Sequence, residues 1–103
     1  MSTMLHLVNK SPFEKNSLDS CLRIAQSGSS VLLLEDGVYA AVANAEHAAK
    51  VAARVGDLSI YVLGPDVAAR GLSDTPLIAD ITVVDYEGFV DLVAEHDANQ
   101  SWL

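Results

Sequence analysis

Four consecutive apolar residues constrain the fold of this chain more than any other part of its sequence: Val31, Leu32, Leu33 and Leu34. A strand with one face in water alternates apolar and polar side chains, and this run has no alternation. Such a strand needs cover on both faces, which is typical of the parallel sheets of α/β proteins. Two acidic residues and a glycine at positions 35–37 end the run. We therefore predict a central strand of a parallel sheet at residues 31–34.

Segments with strand and helix patterns alternate along the rest of the chain. Further strands are predicted at residues 4–8, 58–63 and 81–84, and helices at 17–28, at 38–55 with a break near Asn44, at 65–71, and after Asp85. This alternation predicts parallel strands joined by right-handed crossovers. We predict a single domain, residues 1–103, with a small three-layer Rossmann-like α/β fold. Its mainly parallel sheet is expected to have about four to five strands, in an order that the sequence leaves open.

The charge and the apolar content of the chain indicate which classes of partner it can bind. Fourteen acidic residues face six basic ones, giving a net charge of −8, and such a surface repels the phosphates of nucleic acids. Half of the residues are hydrophobic, although a chain of this length buries only about 60–65% of the surface that it exposes when unfolded. Two explanations stay open: apolar surface that meets a partner protein, or a sheet buried on both faces.

Cysteine content and hydropathy indicate the compartment. No segment approaches the roughly 20 apolar residues of a membrane span, and the first residues show no basic stretch followed by a long apolar run. Cys21 is the only cysteine, so an internal disulfide is excluded. We expect a cytoplasmic protein without membrane attachment.

Ligands of parallel sheets bind outside the carboxyl ends of the strands, so the loops after the predicted strands are candidate sites. These loops contain Asn9, Lys10 and Ser11; Asp36 and Gly37; Gly64 and Asp66; and Asp85. None of them forms a catalytic constellation. The first group either holds an anion or makes a turn, and the second either orients a substrate or makes a turn with glycine at positive φ. Asp85 is predicted to cap the last helix.

Motifs for cofactors and metals are missing from the sequence. The chain has neither a glycine-rich dinucleotide fingerprint after the first strand nor a phosphate-binding loop that ends in Gly-Lys-Ser or Gly-Lys-Thr. His6, His47 and His96 are scattered and show no metal-ligand spacing with Cys21. We therefore expect no cofactor and no metal.

Cys21 is the one candidate for covalent chemistry. It falls with Leu18, Leu22 and Ala25 at helical spacing on an apolar stripe, which predicts a small buried hydrophobe. The alternative is a thiol that accepts or passes sulfur as a persulfide. Reactivity would need a lowered thiol pKa, and Arg23 lies only two positions away, on another side of the helix.

Short blocks that span nearly the whole chain carry a family resemblance: Leu5-His6 with Asn9-Lys10-Ser11-Pro12-Phe13; Leu33-Leu34-Glu35-Asp36-Gly37-Val38-Tyr39-Ala40-Ala41; Tyr61-Val62-Leu63 with Asp66; Ala69-Arg70-Gly71-Leu72; Val84-Asp85-Tyr86 with Phe89-Val90; and Gln100-Ser101-Trp102-Leu103. In this order and at this spacing they resemble the TusB/DsrH family.

The resemblance implies a subunit of a sulfurtransferase complex. That complex is a heterohexamer with two copies each of this chain, a TusC/DsrF-type subunit and a TusD/DsrE-type subunit. The family's persulfide-carrying cysteine belongs to the TusD/DsrE-type subunit and has no counterpart here, which implies a structural or regulatory role. The complex passes sulfur to a TusE/DsrC-type carrier, for tRNA wobble-uridine 2-thiolation or for dissimilatory sulfur oxidation.

Cys21 lies in a block, residues 16–22, that resembles DsrH chains of sulfur oxidisers, so the resemblance also implies a sulfur role for this thiol. Two other functions stay open: a sulfurtransferase that depends on Cys21, and a small-molecule-binding module that uses Asp36 and Gly37. Trp102 and Leu103 are costly to leave in water, so we predict that they pack against a partner or against their own domain.

Overall fold

The computed structural model describes residues 4–13, 16–43 and 46–102. Its strands are β1 (Met4–Val8), β2 (Ser30–Leu33), β3 (Ser59–Leu63), β4 (Thr82–Val84) and β5 (Ala98–Trp102). Its helices are α1 (Ser17–Ile24), a 3-10 helix (Glu35–Ala41), α2 (Ala48–Ala52), α3 (Gly64–Ala69) and α4 (Tyr86–Glu95). The predicted positions of the first four strands are confirmed to within a residue or two.

The five strands form one sheet in the order β4-β3-β2-β1-β5, and every neighbouring pair is parallel. The chain moves in one direction across the sheet from β1 to β4. Residues of α1, the 3-10 helix, α2 and α3 pack in one apolar cluster on one side of the sheet, called here the first face, as right-handed crossovers would place them. The connection to β5 runs back across the sheet, so α4 lies on the other side, the second face. The predicted three-layer α/β fold with a parallel sheet is confirmed.

Each face of the sheet carries its own apolar cluster. The larger cluster, on the first face, joins Val8, Val31, Leu33, Ile60 and Val62 to the four helices that cover them. The smaller cluster, on the second face, consists of Leu5, Leu32, Leu63 and Leu92, with Phe89 and four other partly buried residues around them. Strand β2 contributes to both clusters and all four of its residues are buried. The uninterrupted apolar run therefore reflects burial on two faces, as predicted.

The predicted helix over residues 38–55 is confirmed only at its two ends, as 3-10 helix up to Ala41 and as α-helix at Ala48–Ala52. The 3-10 helix ends at Ala41, Val42 is extended and bridges Leu77, and α-helix follows only at Ala48–Ala52. The backbone N–H of Ala43 donates to Pro76 O at 2.9 Å, and that of Ile78 donates to Ala41 O at 2.8 Å. These bonds to a distant segment replace the bonds that a continuous helix would make. The predicted break near Asn44 lies outside the described residues.

Residues 98–102 form an edge strand where the sequence showed only a tail. Strand β5 reads Ala-Asn-Gln-Ser-Trp and pairs with β1, so that Trp102 lies beside Val8. Trp102 packs against the first-face cluster, and its Nε1 donates to Nδ1 of His6 at 3.0 Å. Of the two predicted partners for Trp102, the structure shows its own domain. Leu103 lies outside the described residues.

Arg54 connects the end of α1 to the start of β3. Its guanidinium donates to the carbonyl oxygens of Leu22 and Ala25, and to both carboxylate oxygens of Asp57 at 2.8–3.2 Å. Because the last carbonyls of a helix lack partners within it, Arg54 completes the bonding of α1, which ends at Ile24, before the predicted stop at Gly28. The pKa of Asp57 is lowered mainly by its hydrogen bonds from Arg54 and Ser27.

Candidate functional site

The topology creates a crevice between two neighbouring strands. Strand β3 leads into α3 on the first face, whereas its neighbour β4 leads into α4 on the second face. The carboxyl ends of such a strand pair diverge, and this is where ligands of open α/β sheets bind. A cavity of about 440 Å³ lies there, lined by Gly64, Pro65, Val83, Val84, Asp85 and Gly88.

The residues around this crevice offer little chemistry. Among the described residues that line it, Asp85 is the only ionisable one, and its Oδ1 accepts the backbone N–H of Gly88 at 2.8 Å as the cap of α4. This confirms the predicted capping role of Asp85. The capping carboxylate already occupies the helix end at which an anion would bind. Within the described part of the chain, the crevice lining therefore provides no thiol, hydroxyl, imidazole or amine that could act as a nucleophile.

The loops after β2 and β3 are joined by an ion pair and a hydrogen bond. Nε of Arg70 lies 2.9 Å from Oδ1 of Asp36, and the backbone N–H of Glu35 donates to Oδ2 of Asp66 at 2.6 Å. The sequence indicated both aspartates as loop candidates, whereas Arg70 appeared only within the family block at residues 69–72. Each carboxylate has a partner from the other loop, so these residues tie the 3-10 helix to α3.

Of the two roles predicted for Asp36 and Gly37, the turn with glycine at positive φ is wrong. Asp36 and Gly37 lie inside the 3-10 helix rather than in a turn, and the positive φ of this segment, 50°, belongs to Glu35. A Cβ atom on Gly37 would lie 2.0 Å from the carbonyl oxygen of Val8. Glycine is therefore required here because two backbone segments approach closely, and not because of its own φ.

The loop after β1 makes a turn, the second of its two predicted roles. Ser11 is buried, and its Oγ accepts the backbone N–H of Phe13 at 3.2 Å. Asn9 Oδ1 is buried without a hydrogen-bond partner in the described part of the chain. The arrangement is that of a local turn beside the end of β1, and Lys10 lies within it.

Cys21 does not line the crevice. Its side chain is fully buried in the first-face cluster with Leu18 and Leu22. Burial raises the pKa of the Cys21 thiol to about 12, against a smaller opposing effect of the Arg54 charge. At neutral pH the residue is therefore a protonated thiol, which is a poor nucleophile.

A second cavity lies beside α1, outside the loops that the sequence indicated. It measures about 350 Å³ and is lined by Pro12, Phe13, Leu18, Asp19, Glu46, His47 and Lys50. Lys50 pairs with Asp19 at 3.0 Å, and the Phe13 ring packs edge-on against His47 with 4.9 Å between centroids. Within residues 4–13, 16–43 and 46–102, no group of three or more His, Cys, Asp or Glu side chains could hold a metal ion.

None of the helices among the described residues is both long and apolar enough to cross a membrane.

Solved structures show the same fold at low sequence identity. The ychN protein of Escherichia coli superposes with a TM-score of 0.83 over 98% of this chain and 99% of its own, at 17% identity. A protein of unknown function from Methanobacterium thermoautotrophicum superposes with a TM-score of 0.74 over 97% of each chain, also at 17% identity. At these identities the likeness establishes the fold alone.

Sequence comparison is more specific. Protein TusB of Pectobacterium parmentieri is 35% identical over 99 residues, which cover 96% of this chain and all of that protein. The proteins of the same name from Shigella flexneri and Escherichia coli K12 are 34% identical over the same lengths. The profile of the family described as DsrH like protein matches residues 10–99. The chain therefore belongs to the DsrH-like family, to which its own sequence blocks already pointed.

Proposed function

We propose that this chain is a subunit of a cytoplasmic sulfur-relay complex and performs no thiol chemistry of its own. The observation that carries the proposal is the position of Cys21, the only thiol of the chain, in the first-face cluster with a raised pKa. The crevice at β3 and β4, where this fold would hold a substrate, has no thiol, hydroxyl, imidazole or amine among the described residues that line it. Membership of the DsrH-like family supplies the link to sulfur relay.

The proposed partners are a TusC/DsrF-type subunit and a TusD/DsrE-type subunit, with two copies of each chain in a heterohexamer. The TusD/DsrE-type subunit carries the persulfide in this scheme, and a TusE/DsrC-type protein accepts the sulfur. Two features of this chain support a role in assembly. Half of its residues are hydrophobic, and several large apolar side chains remain exposed in the isolated domain, among them Tyr86 and Val90.

The proposed destination of the sulfur is the 2-thiolation of the tRNA wobble uridine. The full-length relatives described above are named TusB, the name used in that branch. The match of residues 16–22 to DsrH chains of sulfur oxidisers is the argument for the other branch. Because Cys21 is buried, its presence is explained by packing and carries little weight for that branch.

Native mass spectrometry of the chain, alone and co-expressed with both partner types, tests the assembly. We expect a heterohexamer with two copies of each subunit. If the chain forms no complex with either partner type, the proposal is wrong.

Transfer of radiolabelled sulfur through the purified complex to the TusE/DsrC-type carrier tests the chemistry. The Cys21→Ala variant should transfer sulfur at the wild-type rate. A matched cysteine substitution in the TusD/DsrE-type subunit is the positive control and should stop transfer. If Cys21→Ala assembles normally and yet abolishes transfer, the alternative of a sulfurtransferase that depends on Cys21 is correct.

A further inference from the structure

Helix α4 leaves a stripe of apolar side chains in water. Tyr86, Val90 and Val93 are 59%, 64% and 37% exposed, and Ala94 beside them is exposed as well. At 100° per residue these four positions fall on one side of the helix. Together with Phe89 the last three line a shallow groove of about 280 Å³. Tyr86, Val90, Val93 and Ala94 are called the α4 stripe below.

The α4 stripe is separate from the face that α4 uses for its own domain. Leu92 is buried and Phe89 is half-buried, and both pack on the second face of the sheet against Leu5, Leu32 and Leu63. Leu92 and Phe89 therefore make the contact of α4 with the sheet, whereas Tyr86 and Val90 remain largely exposed. A contiguous apolar surface of this kind on a helix is typical of protein interfaces.

The charges beside the stripe indicate what covers it. Glu87, Asp91 and Glu95 are exposed and follow one another at a spacing of four residues, so they form a row along one edge of the stripe. The helix contains no Lys or Arg. A complementary surface has an apolar centre and Lys or Arg along the matching edge, because opposite charges steer association and like charges oppose it.

We propose that the α4 stripe is the docking surface for a different protein subunit whose apolar patch is bordered by basic residues. A second copy of this chain fits less well. It also carries a net charge of −8, and antiparallel two-fold pairing of two α4 helices would place both acidic rows on the same side of the interface. The inference rests on the proposed function, since it needs the chain to have protein partners.

Val90→Lys with Ile24→Lys as the matched control tests the proposal in the co-expressed complex. Both positions are β-branched, helical and similarly exposed, at 64% and 60%, and Ile24 lies on α1 at the first face. The lysine introduced by Val90→Lys would follow Glu87 by three residues, an arrangement that supports the helix, so the variant chain should fold normally. We expect Val90→Lys to weaken assembly by about tenfold or more, and Ile24→Lys to leave it unchanged.

A second variant keeps the apolar stripe and removes its charges. Glu87→Gln with Asp91→Asn should slow association and flatten its dependence on NaCl between about 0.05 and 0.5 M, because screening then has less charge to act on. This readout does not depend on whether Val90→Lys folds. An unchanged salt dependence would contradict the proposal that basic residues border the partner's apolar patch.

The outcomes separate the docking surface from the function. If the wild-type complex forms and Val90→Lys assembles as tightly, or if Ile24→Lys weakens assembly equally, the stripe is not the docking surface, and the proposed function stands. If the wild-type chain binds neither partner type, the proposed function fails and this inference fails with it. If the chain alone forms a dimer that Val90→Lys dissolves, a second copy covers the stripe and the proposal is overturned.

Discussion

The indole Nε1 of Trp102 donates a hydrogen bond to Nδ1 of His6 at 3.0 Å, which joins edge strand β5 to its neighbour β1. The two rings also pack together, with centroids 6.0 Å apart. His6 is 5% exposed, and burial lowers the pKa of its imidazole. A hydrogen bond into Nδ1 requires that nitrogen to be unprotonated. The native state therefore holds the neutral tautomer with its proton on Nε2.

This contact makes the domain sensitive to acid. The pKa of His6 is lowered in the folded state and close to about 6.5 in the unfolded chain, so the unfolded state binds the proton more readily. The contribution of neutral His6 is complete above about pH 6.5 and is lost as the pH falls below that value toward the folded-state pKa. From His6 alone, the free energy of unfolding should fall by at most about 1.4 kcal/mol per pH unit in that window.

Urea denaturation of the wild type and His6→Asn between about pH 7.5 and pH 5 measures this effect. The Asn side chain keeps an acceptor near the position of Nδ1 but does not titrate. The difference between the two proteins isolates the contribution of His6 from those of the other titratable groups. Parallel pH profiles would show that His6 does not titrate in the expected way.

Substitution of Gly37 should destabilise the domain severely. The added Cβ of Gly37→Ala would meet the backbone oxygen of Val8 at 2.0 Å, so either the 3-10 helix or β1 must move. We expect a loss of about 3 kcal/mol or more in the free energy of unfolding. Gly56→Ala is the control, because its Cβ meets nothing within 4 Å and its φ is not positive. That variant should be neutral or more stable by up to about 1 kcal/mol, and equal losses in both variants would contradict the explanation.

The Cys21 thiol should be protected from thiol reagents in the native protein. Its side chain is fully buried and its pKa is raised to about 12. We expect labelling by a chromogenic disulfide reagent at neutral pH to be slow in buffer and fast in denaturing urea, because reaction must await opening of the first-face cluster. Fast labelling in both conditions would show an accessible thiol and would revive the sulfur-carrier role of Cys21.

Arg54 should contribute more to the free energy of unfolding than a typical arginine near the surface. Arg54→Lys keeps the charge but loses the planar fork that reaches Leu22 O, Ala25 O and Asp57 together. We expect the free energy of unfolding to fall by about 1–3 kcal/mol. Lys50→Gln removes the exposed pair with Asp19 and should cost less than about 1 kcal/mol. Similar losses in the two variants would mean that the fork adds nothing beyond a surface ion pair.

Local patterns in the sequence were enough to predict several elements of the fold and the family of this protein. The unbroken apolar run at residues 31–34 predicted a strand covered on both faces, and β2 is fully buried. Asp85 and Pro65 marked the starts of α4 and α3, because capping and fixed φ act within a few residues. The short blocks from Leu5 to Trp102 predicted the family, which the matching profile confirms.

Only the tertiary structure decided features that depend on contacts between distant segments. Strand β5 has a polar sequence and becomes a strand through backbone pairing with β1. The segment after β2 does not continue as α-helix because the backbone groups of Ala41 and Ala43 form hydrogen bonds with residues 76–78. Periodicity placed Cys21 on an apolar stripe and could not say what covers it, whereas the fold covers Cys21 and leaves the stripe with Val90 in water. A repeating pattern records which side of an element is apolar, and only packing determines which apolar sides meet each other.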